Sequence, residues 1–186
     1  MLAYLNGIIQ HLFSTKRSLI VVVHDVGYKV HVPASVLAQA VVGQPIQLYL
    51  HHVVREDVDD LYGFLRVEDL TIFEQLISVS GVGPKVGLAL LSELSADAIV
   101  RAITEGDRAL LTHVSGVGKK IAERLVLELK TMDIAPTGDG QTQTVVEALQ
   151  QLGYSSAEVR SVIQQLDHTA HPEQQLKQAL AMLSHG

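Results

Sequence analysis

The sequence predicts a mixed, multidomain fold: a small N-terminal β-barrel, a central all-α domain and a C-terminal three-helix bundle. Three observations carry this. Residues 1–64 hold short β-branched runs broken by Gly and Pro. From Glu68 the apolar period becomes helical, and within that stretch a seven-residue phrase is written twice, thirty-five residues apart. The predicted boundaries are 1–64, 65–133, a linker over 134–143, and 144–186.

In the first part, Ile8–Leu12, Ser18–Val23, Tyr28–Val32 and Ile46–Val54 are rich in β-branched and aromatic residues, punctuated by Gly7, Gly27, Pro33, Gly43 and Pro45. Tyr28–Val32 and Gln47–Leu50 alternate as half-buried strands do. Short strands at this spacing suggest a closed barrel, of which the OB-fold is the common five-stranded form. Ser35–Ala40 reads as a brief helix or turn across it. Near its end, Glu56, Asp57, Asp59 and Asp60 place four carboxylates in five positions between strand-like runs, as at a hairpin tip. Taken alone this is a solvated turn, since a metal or acid–base site needs surrounding groups to hold it.

The central part is organised by its repeat. Val79-Ser80-Gly81-Val82-Gly83-Pro84-Lys85 returns as Val114-Ser115-Gly116-Val117-Gly118-Lys119-Lys120, and Leu90, Glu93 and Leu94 return as Leu125, Glu128 and Leu129. Two glycines around one apolar residue, with a helix starting after the second, describe a tight turn between helices. The amides at each new helix start lack internal partners, and the helix dipole adds partial positive charge there. Such an end suits a phosphate. The pair looks like a tandem helix-hairpin-helix, which grips nucleic-acid backbone without reading bases. Its candidate contacts are Gly81, Val82, Gly83 and Lys85, then Gly116, Val117, Gly118, Lys119 and Lys120. A Walker loop ending at Gly118-Lys119 would need glycine at 113 and Ser or Thr at 120, where His113 and Lys120 stand. Leu70, Phe73, Leu76 and Ile77 stripe the helix before the first turn; Ser95 is an N-cap and Gly106 a helix end.

Ala135–Thr142 is rich in breakers and lacks apolar period, which reads as a linker. Three short helices follow, a UBA-like bundle. Val145, Leu149 and Leu152 stripe the first and Gly153 stops it. Ser155 and Glu158 form a capping box for the second, striped by Val159, Val162, Ile163 and Leu166. Pro172 opens the third, striped by Leu176, Ala179, Leu180 and Leu183. With only Arg160 and Lys177 as cations, this part suits protein docking better than DNA.

Composition sets outer limits. The net charge is −6, and no segment is globally basic, so a DNA surface must be a local face of amides and a few lysines. Cysteine is absent, which removes disulfides, thiol catalysis and cysteine zinc sites. His51 and His52 point to opposite faces of a strand, and His168 and His171 sit in a loop without a third ligand, so no metal site is expected. No apolar run reaches membrane-spanning length and no signal-peptide pattern opens the chain; a cytoplasmic protein is the expectation.

Adding His52-Val53-Val54-Arg55-Glu56-Asp57, Leu61-Tyr62-Gly63-Phe64 and Leu152-Gly153-Tyr154, this order of parts resembles, over the whole chain, the RuvA family. These are Holliday-junction-binding subunits of the bacterial branch-migration complex. The resemblance implies a homotetramer, single or paired, that holds a four-way DNA junction open in recombination and repair. It implies no catalytic site and no cofactor, ATP being used by the hexameric RuvB motor docked through residues 144–186. The RuvC resolvase is a further implied partner. Glu56 and Asp57 become an acidic pin at the junction centre, repelling phosphates and guiding strands apart. The linker is short for the family. Two readings of another class remain beside this one: a helix-hairpin-helix nuclease or glycosylase, against which Asp133 borders the linker and no aromatic residues stand ready to hold an extruded base, and a pure protein scaffold.

Overall fold

A computed structural model describes residues 1–131, 140–163, 166 and 172–183. They fall into two compact units, Met1–Pro136 and Thr137–Gly186. In the first, strands β1 (Tyr4–Phe13), β2 (Ser18–Val23), β3 (Val26–His31), β4 (Pro45–Arg55) and β5 (Val58–Phe64) close into a barrel in the order β1-β2-β3-β5-β4. Every pairing is antiparallel except β3 with β5, where Val30 lies opposite Leu61. This is the predicted OB arrangement. Alternation explains its core: Leu5, Ile9, Leu19, Val21, Val30, Ile46, Leu48, Leu50 and Leu61 turn inward and are buried. Helix α1 (Ala34–Gln39) adds Val36 to that core. Gly7 is required by close passage, since a Cβ there would strike the Val22 carbonyl.

Five helices follow: α2 (Val67–Ser78), α3 (Pro84–Glu93), α4 (Ala96–Glu105), α5 (Arg108–His113) and α6 (Lys119–Thr131). Ser95 caps α4 by accepting from the Ala98 amide at 3.2 Å, and Gly106 ends it with φ +79°. Asp107 caps α5 through the Leu110 amide at 3.0 Å. Phe73 and Leu76 of the predicted α2 stripe are fully buried together with Ile72; Leu70 and Ile77 pack at its edge. The boundary predicted after Phe64 marks a change from strand to helix but no break in packing. Tyr62 and Phe64 belong to the helical core, with ring centroids 5.4 and 4.9 Å from Phe73.

The second unit contains α7 (Gly140–Gln151), α8 (Ser156–Ile163) and α9 (Pro172–Leu183). Val145, Leu149, Val159, Val162, Leu166 and Ala179 form its core. The predicted capping box is present: Ser155 N–H and Oγ–H donate to Glu158 Oε2 at 2.8 and 2.6 Å. These bonds hold the Glu158 carboxyl below its usual range. Two expectations change. Helix α7 starts at Gly140, inside the segment read as linker, because a first helical turn needs no apolar residue and so leaves no periodic trace. Leu152 is 61% exposed rather than striped, because it falls in the turn ahead of Gly153. The remaining linker residues to 139, together with Asp133, His168 and His171, lie outside the described residues.

Candidate nucleic-acid interface

The two turns of the repeat are built alike. Val79 and Val114 end their helices by donating to the Leu76 and Leu111 carbonyls, each at 3.3 Å. Gly81 and Gly116 both take φ +89°, a left-handed angle that disfavours any Cβ. Val82 and Val117 then donate to the Val79 and Val114 carbonyls, each at 3.0 Å, and both are 4% exposed. Those two valines anchor the turns: side chain in the core, N–H already used. Neither valine leaves its N–H free for a ligand.

Gly83 and Gly118 differ from the glycines before them. Neither has a left-handed φ, and a Cβ on either would meet nothing within 4 Å. Nothing inside the chain demands glycine there, and the open space above each faces the start of α3 or α6. In α3, Val86 and Gly87 donate back to the Gly83 carbonyl and Pro84 has no N–H, leaving the Lys85 amide free. In α6 the first such bond is from Ala122 to Gly118, so the Lys119, Lys120 and Ile121 amides are free. Lys85, Lys119 and Lys120 are exposed, and among the described residues none is paired with a carboxylate.

Arg124 was not visible as part of this site from sequence. From α6 its Nη1 donates to the Ser80 carbonyl at 2.7 Å, tying the second helix to the first turn. A shallow pocket lies between them, lined by Ser80, Gly81, Lys120 and Arg124 among others. The partners stand 44 residues apart, and no local pattern links them.

The acidic tip is tighter than the sequence implied. Arg55 pairs with Val58, so only Glu56 and Asp57 form the β4–β5 turn, and both are exposed. Asp59 and Asp60 are strand residues with partners. His52 Nδ1 accepts the Leu2 amide at 3.1 Å, so Nε2 carries the proton and donates to Asp59 at 2.6 Å. His31 stands 3.6 Å from Asp60 and stacks on Tyr62. Burial pushes the Tyr62 hydroxyl above its ordinary pKa, and the Asp60 charge pushes the same way. His51, on the opposite face from His52, bonds Glu74 of α2 at 2.9 Å. Among the described residues no group of three or more His, Asp or Glu could hold a metal ion, and no helix is long and apolar enough to cross a membrane.

Comparison with known proteins finds three family models along the chain. The RuvA N terminal domain model matches residues 1–63, the SAM-like helix-hairpin-helix tandem model residues 73–131, and the RuvA C-terminal domain model residues 142–184. A Holliday junction branch migration complex subunit RuvA from Deinococcus radiodurans is 38% identical over 202 residues, spanning 98% of this chain and 100% of that protein. The protein of the same name from Dehalococcoides mccartyi is 40% identical over 190 residues, 97% of each chain. That from Pseudomonas fluorescens is 50% identical over 113 residues, 60% of this chain and 56% of its own length. Matched from barrel to last helix, and with full-length relatives at such identity, the chain belongs to the RuvA family.

Proposed function

We propose that this chain is the non-catalytic, DNA-binding subunit of a branch-migration complex, binding four-way Holliday junctions. One observation carries the reading: two turns of matching backbone geometry, each presenting at least one free amide, an unneeded glycine and an exposed lysine, which together suit the backbone of a duplex. Gly83, Lys85, Gly118, Lys119 and Lys120 are the proposed phosphate contacts, with the Gly81 and Gly116 turns setting their place. The chain assembles as a tetramer, and the unit over residues 144–186 docks the RuvB motor that consumes ATP. Glu56 and Asp57 act by repulsion. On a four-fold axis their exposed turn brings about eight carboxylates to one centre, inside a Debye length of about 8 Å at physiological salt. Repulsion on that scale reaches a few kcal/mol in total. A continuous duplex must cross that centre, whereas an opened junction leaves it empty.

The test is a titration of labelled four-way junction and matched duplex, at fixed salt, with the natural chain and with Glu56→Gln/Asp57→Asn. The natural chain should prefer the junction at least tenfold. The double variant should bind duplex about tenfold more tightly and junction nearly as before, so preference collapses through gain of duplex binding. Equal junction and duplex affinity in the natural chain would refute the junction reading. An unchanged ratio in the variant would return Glu56 and Asp57 to an ordinary solvated turn. Cleavage of the junction by pure protein would favour the nuclease class instead.

A further inference from the structure

We propose that the outer face of β1–β3, beside the β1–β2 loop, is a second nucleic-acid contact that takes an unpaired strand. On this face His11 lies opposite Ile20 and Ile20 opposite Lys29, with Phe13 two residues along from His11. The His11 ring meets Phe13 edge-on, centroids 4.5 Å apart, and Lys29 Nζ lies 5.6 Å over the Phe13 ring. Among the described residues no carboxylate pairs with Lys29, Lys16 or Arg17. The adjoining loop runs through Ser14–Lys16 to Arg17, held at φ +45°.

Charge within the barrel is segregated. Through His31 the chain carries Lys16, Arg17 and Lys29 against the single acid Asp25, which sits in the β2–β3 turn at the other end of those strands. The other four barrel carboxylates lie in residues 56–60, and the nearest to this face, Asp60, is engaged by His31 and Tyr62. A polyanion is therefore matched to this end and repelled from the other. OB barrels take oligonucleotides on the strand 2–3 face and the first loop, where a ring stacks a base and cations track the backbone. Lys29 occupies the place of a stacked base; once displaced, its flexible stem carries the ammonium to the neighbouring phosphate. A duplex hides its base faces, so the ring selects an unpaired strand. The site uses none of the hairpin residues and stands independently of the junction reading.

The experiment measures binding of labelled oligothymidylate, about 12 nucleotides and within the span of one OB fold, to the full chain. Phe13→Leu/Lys29→Gln should weaken it about tenfold, and the salt slope should fall by about 0.7 for the phosphate lost. Junction affinity should stay within about twofold. Lys29→Gln alone, at an exposed position, should lower the slope with no change in melting temperature. Unchanged oligothymidylate affinity or slope in these variants, or no binding by the natural chain, overturns the proposal. Loss of junction preference with this strand effect intact would sink the junction reading alone.

Discussion

The two hairpins share a turn and differ in what they present. Buried valines, left-handed glycines and hydrogen-bond lengths repeat to within 0.1 Å. At the first helical position one copy has Pro84 and the other Lys119, and Val86 bonds Gly83 where Ile121 makes no such bond, so the first offers one amide and one lysine where the second offers three amides and two lysines. At the position of Arg124 the first copy has Ala89, 9% exposed and packed in the core. Turn shape is thus held by residues the copies share, and the difference in the donors they present comes from residues they do not. The second hairpin should carry more of the affinity, with the first acting chiefly as a geometric stop.

The largest test of that asymmetry removes its cause. Lys119→Ala/Lys120→Ala should weaken binding to every DNA form about a hundredfold and lower the salt slope by about two, against about tenfold and one for Lys85→Ala. Lys119→Pro would convert the second copy toward the first. Proline is tolerated at the first helical position, so folding should be unaffected while affinity drops about tenfold. Equal losses from Lys85→Ala and the double variant would mean the hairpins contribute alike.

Gly81→Ala and Gly116→Ala address what the copies share. Each forces a Cβ into a left-handed angle and should cost about 1–2 kcal/mol of stability, by chemical denaturation, with the two values matching. A clear inequality would show that the turns are not equivalent in strain. Open space above Gly83 and Gly118 gives the contrast: alanine there should leave stability nearly unchanged and reduce DNA affinity.

The smallest effect concerns α2, which leads into the first hairpin alone. Burial, first of all, raises the Asp69 carboxyl above its ordinary pKa, with Glu68 and Asp97 adding to the rise and Arg66 opposing it. A folded pKa above the unfolded value means protonation favours the fold. The penalty is fully present at neutral pH and is relieved as pH falls through the folded pKa toward the ordinary value. Asp69→Asn should therefore stabilise the first unit at pH 7 by less than about 0.5 kcal/mol, since solvent screens a half-exposed carboxylate and its place in the first helical turn is itself favourable. Denaturation midpoints at pH 7 and pH 4.5 check this; the gain should shrink at the lower pH.

Much of this molecule was legible because its signals are local. The duplicated turn, the Ser95 and Ser155 caps, the Gly106 and Gly153 stops and the strand alternation all act within a few residues. What escaped was joined across distance or left no pattern. The β4–β5 register, which sets Val54 opposite Asp59 and Val53 opposite Asp60, makes two of the four tip carboxylates strand residues, and cross-strand register is not written in composition. Arg124 reaching Ser80 depends on how the hairpins pack. The burial of Val82 and Val117 in the helical core was not part of the motif. Polar residues at the start of α7 carried no apolar period to announce a helix.

The stacking of Tyr62 and Phe64 on Phe73 has a mechanical consequence. Because barrel and hairpins share one core, the spacing between the Glu56-Asp57 turn and the two helix ends proposed to hold phosphate is a fixed gauge rather than an adjustable reach. A gauge reads the shape of its object without reading its letters. A backbone seated in both jaws, as proposed, would meet the acidic turn at one set offset, and the length of that offset, more than any individual contact, would decide which DNA is accepted.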